Sequence, residues 1–121
     1  TDDDIQNISK DSYVRNTKHG DQLCKDMFSG ALFRSSANYI GQCINRLSAE
    51  CISDHYVSLN DFYDLLGLER TGMGEEFGYN YEDLEHGMLP ITFSAHLTDA
   101  KEPILCVEYR IHPRVEYWKE K

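Results

Sequence analysis

The chain has 121 residues, a length that suits one compact domain with a modest core. Its 21 acidic and 12 basic side chains give a formal net charge of −9, which repels phosphate backbones and anionic lipid surfaces. We therefore expect neither nucleic acid nor direct membrane contact for this chain.

The N-terminal residues 1–19 are polar and carry few large apolar groups, which predicts an N-terminal arm. Residues 20–121 are expected to form a single globular domain. Its first element is predicted as a short hairpin, because the apolar stretches 23–28 and 31–35 flank a turn at Ser29-Gly30.

Two central helices follow in the predicted fold. The first spans about residues 37–52, with an N-cap at Ser35-Ser36 and apolar residues at helical spacing: Tyr39, Ile40, Cys43, Ile44, Leu47 and Cys51. The second runs from a Ser58 cap to Gly67, which is expected in the left-handed conformation. Its predicted buried stripe consists of Leu59, Phe62, Leu65 and Leu66.

Residues 71–86 are rich in glycine and are predicted to be the least regular part of the chain. The glycines at 72, 74 and 78 do not fit a dinucleotide-binding fingerprint, because no apolar strand precedes them and no amphipathic helix follows. We expect them to permit tight turns at positive φ instead.

The C-terminal third is predicted to be an antiparallel hairpin. Alternating apolar residues indicate a half-buried strand: Leu89, Ile91, Phe93, Ala95 and Leu97. Residues 98–103 form the turn, and residues 104–111 return as the partner strand. The fold class expected from all these elements is a small α+β domain.

The residues that carry chemistry do not form an enzymatic signature. The histidines are scattered along the chain (His19, His55, His86, His96 and His112), and the cysteines are widely spaced within apolar patterns (Cys24, Cys43, Cys51 and Cys106). We therefore expect buried free thiols, no metal site and no cofactor. The alternative of a small hydrolase requires one concave site that gathers at least two of Asp61, Asp64, His55, His86 and His96.

Residues 75–85 contain five acids and no base, interleaved with aromatic residues. This pattern predicts a protein-binding surface formed by Glu75, Glu76, Phe77, Tyr79, Tyr81, Glu82 and Asp83. Tyr109, Tyr117 and Trp118 add aromatic groups near the C-terminal end. Core packing of the aromatic residues is the alternative.

Several segments resemble an uncharacterised protein family encoded by phages and prophages of Gram-positive bacteria. They are residues 21–26, 29–36, 56–68 (with the motif Ser-Leu-Asn-Asp-Phe-Tyr), 74–80 and 91–113. The resemblance covers about residues 20–118 and implies no catalytic residues. Family members often carry a hydrophobic, membrane-associated region upstream, and they often have Trp where this chain has Tyr79.

The resemblance implies a phage accessory or structural protein. Together with the acidic aromatic segment, it predicts a non-enzymatic interaction module whose partner is a virion protein, a host protein or a second copy of the chain. Its expected location is the bacterial host cytoplasm or the virion. The chain starts at Thr1 rather than at a methionine, which favours a piece of a longer, membrane-associated protein. An acidic inhibitor of host defence is the alternative function.

Overall fold

The computed structural model describes residues 13–121, so most of the predicted N-terminal arm, residues 1–12, lies outside the described residues. Along the chain the elements are β1 (Val14–Asn16), β2 (Gln22–Asp26), β3 (Leu32–Ser35), α1 (Ala37–Asp54), β4 (Tyr56–Ser58), α2 (Leu59–Leu66), α3 (Gly72–Glu76), β5 (Phe77–Asn80), a 3₁₀-helix (Tyr81–Asp83), β6 (Ile91–Leu97), β7 (Pro103–Tyr109) and β8 (Arg114–Val115). The predicted α+β class is confirmed.

Contacts within the chain divide the described residues into two compact units. The first comprises residues 13–39 and 92–108, and the second comprises residues 40–91 and 109–121. The expectation of one domain over residues 20–121 stays a prediction. None of the helices in the described part of the chain is both long and apolar enough to cross a membrane.

The first unit is built on a five-stranded sheet in the order β1-β3-β2-β7-β6. Strands β2 and β3 pair antiparallel, which confirms the predicted N-terminal hairpin, and the Asp26 carboxylate accepts hydrogen bonds from the Ser29 amide (2.9 Å) and hydroxyl (2.7 Å) in the turn. Strand β1, which falls in the predicted arm, pairs parallel with β3, as β2 does with β7. The buried residues Leu23, Leu32, Ile104 and Cys106 form the core of the sheet.

Strands β6 and β7 are neighbours in the sheet, and residues 98–102 join them. A parallel crossover needs a dozen residues or more, so this short connection makes the pair antiparallel, as predicted. The predicted burial of β6 is wrong in its second half, because Ala95 and Leu97 are exposed. Strand β6 is the edge of the sheet, where a side chain has a neighbouring strand on one side only.

Both central helices are confirmed. Helix α1 starts where the Ser36 hydroxyl accepts a hydrogen bond from the Tyr39 amide (3.1 Å), and it continues two residues beyond the predicted end at 52. Helix α2 has the predicted Ser58 cap, with Asp61 completing a capping box, and it ends at Gly67 in the left-handed conformation (φ 86°). The four cysteines are buried and form no disulfide bond, as expected.

The second unit contains a three-stranded sheet in the order β4-β5-β8, with both pairs antiparallel. The sequence did not predict this sheet. Strands of three, four and two residues are too short to show a period, and their paired residues lie 20 or more positions apart along the chain.

The prediction of an irregular loop over residues 71–86 is wrong, because this stretch contains α3, β5 and the 3₁₀-helix. Thr71 caps α3 by accepting a hydrogen bond from the Gly74 amide (2.8 Å). The buried Asn60 side chain fixes this start by bonding both the backbone amide and the carbonyl of Thr71, each at 2.9 Å. These long-range bonds order the segment.

The expectation of positive φ at the glycines of this segment is also wrong. The described glycines with positive φ are Gly20, Gly30, Gly67 and Gly87. Gly74 and Gly78 are needed for close approach instead, since a Cβ atom would lie 2.1 Å from the Asn60 Oδ1 at position 74 and 2.2 Å from the Val57 carbonyl oxygen at position 78.

Candidate functional site

The seven residues predicted to bind a partner do not share one environment. Tyr79 and Asp83 are buried, Phe77 is half-buried, and Glu75, Glu76, Tyr81 and Glu82 are exposed. The segment therefore has a structural part and a part that faces solvent.

Tyr79 belongs to the core, so its assignment to an exposed partner-binding surface is corrected. Its side chain is 1% exposed, and its hydroxyl donates a hydrogen bond to the carbonyl oxygen of Ile111. Burial, aided by the nearby Asp83 carboxylate, raises the pKa of Tyr79 above its ordinary value. The phenol therefore stays neutral and acts as a hydrogen-bond donor.

Asp83 is 7% exposed, so its assignment to an exposed partner-binding surface is corrected as well. Its carboxylate accepts a hydrogen bond from the Asn80 backbone amide (2.8 Å) and forms ion pairs with the Arg114 Nε (3.1 Å) and the Lys121 Nζ (3.1 Å). Burial alone raises the pKa of Asp83, but these three donors outweigh it and hold the pKa below its ordinary value.

Other residues of the predicted surface also bind the chain's own C-terminal segment, residues 109–121. The Glu82 carboxylate contacts the Arg114 Nη2 at 2.9 Å, and the Tyr81 hydroxyl donates to the Glu120 carboxylate at 3.0 Å. The side-chain amide of the buried Asn80 donates a hydrogen bond to the Tyr117 carbonyl oxygen at 3.0 Å. Much of the predicted binding capacity is thus used within the chain.

An open groove of about 740 Å³ lies in the second unit. Its lining consists of Tyr56, Gly72, Glu75, Glu76, Val115, Glu116, Tyr117 and Trp118. Sequence reasoning named Glu75 and Glu76 as site residues and noticed the two C-terminal aromatic residues. It missed Tyr56, Val115 and Glu116, because only the pairing of β4, β5 and β8 brings them together.

Three aromatic rings shape the groove. Tyr117 is buried, and its hydroxyl donates a hydrogen bond to the Glu75 carbonyl oxygen at 2.8 Å. The Trp118 ring stands edge-on to Tyr117, with centroids 5.1 Å apart, and the Tyr56 ring lies 6.0 Å from Tyr117 at a tilt of 56°. Trp118 is 50% exposed and Tyr56 is 45% exposed.

The three carboxylates of the groove differ in their partners. Glu75 accepts hydrogen bonds from the Asn60 amide (3.1 Å) and the Arg70 guanidinium (3.0 Å), and these two donors lower its pKa. Glu116 forms an exposed ion pair with Lys119 at 3.3 Å. The Glu76 side chain is exposed and has no partner among the described residues.

The five groups that a hydrolase would use have other surroundings. Asp61 completes the cap of α2, Asp64 pairs with Arg70, and the His55 ring lies against Tyr81 at 5.3 Å. His86 is exposed, and His96 shares a hydrogen bond with the Ser94 hydroxyl at 3.0 Å. Over residues 13–121, no group of three or more His, Cys, Asp or Glu residues is arranged to hold a metal ion.

Comparison with known proteins gives a family but no function. No curated protein matches the chain significantly, and no solved structure does so either. Residues 1–118 match a family described as a family of unknown function, DUF6353. Because this match spans almost the whole chain, the protein belongs to the DUF6353 family.

Proposed function

We propose that this chain is a non-enzymatic interaction module that binds a protein partner in the groove. The observation that carries the proposal is that two half-exposed aromatic residues, Trp118 and Tyr56, line the groove and both contact the buried Tyr117. Tryptophan and tyrosine supply a large contact area at a small entropic cost, and they are enriched at the energetic centres of protein interfaces.

The lining indicates the chemistry of the partner. Val115 and the aromatic rings supply apolar surface, and the carboxylate of Glu76, which has no partner among the described residues, supplies negative charge. The net charge of −9 adds a long-range field of the same sign. The partner therefore presents an apolar side chain next to a basic one.

The sequence resemblance to phage and prophage proteins supports a partner in the virion or the bacterial host. The proposal places the protein in the host cytoplasm or in the virion, as an accessory or structural component. A second copy of the chain is a weaker candidate, because a copy with the same net charge of −9 is repelled at long range.

Affinity capture from lysates of infected and uninfected host cells tests this function. Wild type, Trp118→Ala and the control Ile52→Ala serve as baits; Ile52 is 55% exposed but does not line the groove. We expect wild type and Ile52→Ala to retain the same protein and Trp118→Ala to lose it. Equal retention by all three baits contradicts the proposed role of the groove.

A further inference from the structure

We propose that the group recognised in the groove is an alkylammonium, the side chain of a lysine on the protein partner. The ammonium contacts the faces of Tyr56 and Trp118 above the buried Tyr117, with the carboxylate of Glu76 nearby. This inference rests on the proposed function, because the lysine belongs to the partner that the groove binds.

The arrangement of the rings favours a compact cation. The Tyr56 and Trp118 rings both contact Tyr117, at tilts of 56° and 77°, so neither ring stacks flat on Tyr117. A cation is attracted to an aromatic face within about 6 Å of its centroid. A planar guanidinium stacks best on one flat face, whereas an ammonium is a point charge that fits between inclined faces.

The carboxylates fix the sign of the ligand's charge. Glu76 has no partner among the described residues, so it is available to an incoming cation. The pair between Glu116 and Lys119 is more than half exposed at both side chains, and such a pair contributes little and exchanges readily. An anion is repelled by this lining, and an uncharged side chain gains no electrostatic attraction.

The base of the groove is fixed before any ligand arrives. Tyr117 is held at its hydroxyl by the Glu75 carbonyl oxygen (2.8 Å) and at its carbonyl oxygen by the Asn80 amide (3.0 Å). Binding to a site that is already ordered loses less conformational entropy. Binding therefore requires ordering of the exposed Tyr56, Trp118 and Glu76 side chains alone.

Trp118 is the chain's single tryptophan, so its fluorescence reports on the groove directly. The intact chain is titrated at constant ionic strength with Nα-acetyl-lysine methylamide, with its Nε-trimethylated form and with its uncharged Nε-acetylated form. We expect a saturable change in emission with the first two compounds and none with the third. Glu76→Gln is expected to weaken the lysine response by about two- to fivefold, as for an exposed ion pair, and Ile52→Ala is expected to leave it unchanged.

Three outcomes overturn the inference. The first is an equal change in emission with the acetylated compound and with the lysine compound. The second is the lack of a saturable change with either charged compound. The third is binding of the trimethylated compound alone, which points to a quaternary ammonium ligand rather than a lysine. The proposed function has its own test: loss of the captured protein by Trp118→Ala together with no lysine response refutes the ammonium and leaves the protein-binding groove in place.

Discussion

Residues 79–83 and the groove use the same kinds of side chain, tyrosines and carboxylates, in opposite ways. In residues 79–83, Arg114 and Lys121 of the same chain neutralise the buried Asp83. In the groove, exposed cations pair with Glu75 and Glu116, and Glu76 has no partner among the described residues. On the proposed function, an acidic aromatic stretch binds a partner only where the chain leaves a carboxylate without a complementary group of its own.

This comparison separates two kinds of consequence. Substitutions among residues 79–83 remove packing or buried hydrogen bonds, so they lower the free energy of unfolding. Substitutions at Trp118 or Glu76 remove groups that face solvent, so we expect them to leave the fold intact and to weaken the proposed binding. Substitutions of the first kind are measured by their effect on stability, and those of the second kind by their effect on binding.

The largest expected effect belongs to Tyr79→Ala. Removal of a 1%-exposed ring leaves a cavity in the core of the second unit and should lower the free energy of unfolding by about 3–5 kcal/mol. Tyr79→Phe, which loses only the hydrogen bond to Ile111, should cost about 1 kcal/mol. Denaturant titrations measure both changes, and an unchanged midpoint for Tyr79→Ala would show that Tyr79 is a surface residue after all.

The next effect is that of Asp83→Asn, which removes the charge that holds Arg114 and Lys121. Loss of charged hydrogen bonds should cost about 2 kcal/mol at neutral pH. Because the pKa of Asp83 is lowered in the folded chain, its contribution is present above the unfolded pKa and is lost as pH falls through the folded pKa. Wild type should therefore lose stability below about pH 4, and the variant should lose less over the same range.

Glu82→Gln is the matched control for this titration. Glu82 contacts the same Arg114, but its side chain is 29% exposed, compared with 4% for Asp83. We expect a cost under about 1 kcal/mol for Glu82→Gln. If the two variants are equally stable at neutral pH, burial of Asp83 does not distinguish it from the solvent-facing acids.

Ser58→Ala tests how the fold supports the floor of the groove. The Ser58 hydroxyl caps α2 by accepting a hydrogen bond from the Asp61 backbone amide at 3.1 Å, and Ser58 and Tyr117 both lie against Gly78. We expect a loss of about 1 kcal/mol in the free energy of unfolding. Ser36→Ala removes a cap from α1 without touching the groove, so of the two variants only Ser58→Ala should change Trp118 fluorescence in the folded state.

The sequence predicted those elements whose signals are local. The caps and stop of α2 lie within ten residues, and the hairpin of β2 and β3 turns at Ser29-Gly30, so each pattern is complete in one short window. Asp61, at the third position of α2, completes the capping box within the same short window.

The parts that sequence reasoning missed depend on distant partners. A polar residue such as Asn60 on a helix is normally predicted to face solvent. Asn60 is instead 2% exposed, because its side-chain amide is used to bond the backbone of Thr71 at the start of α3. Tyr56 contacts Tyr117 across 61 positions of the chain, and no periodicity in either segment reveals this pairing. The groove was therefore invisible in the sequence, although two of its acids and two of its aromatic residues had been noticed.

The smallest expected effect on stability, and the largest on binding, is that of Trp118→Ala. Half of the ring is already in solvent, and its described ring contact is the edge-on contact with Tyr117, so the free energy of unfolding should fall by about 1 kcal/mol or less. Circular dichroism must follow the melt, because the variant has no tryptophan left to report by fluorescence.

Trp118→Phe is the matched control, since it keeps an aromatic face while removing the indole. It should retain more of the captured partner than Trp118→Ala, because a smaller aromatic face still attracts a cation and covers apolar surface. If Trp118→Ala instead melts as early as Tyr79→Ala, then Trp118 is a packing residue. In that case the contrast between the groove and the buried residues Tyr79 and Asp83 is wrong, because Trp118 also stabilises the fold by packing.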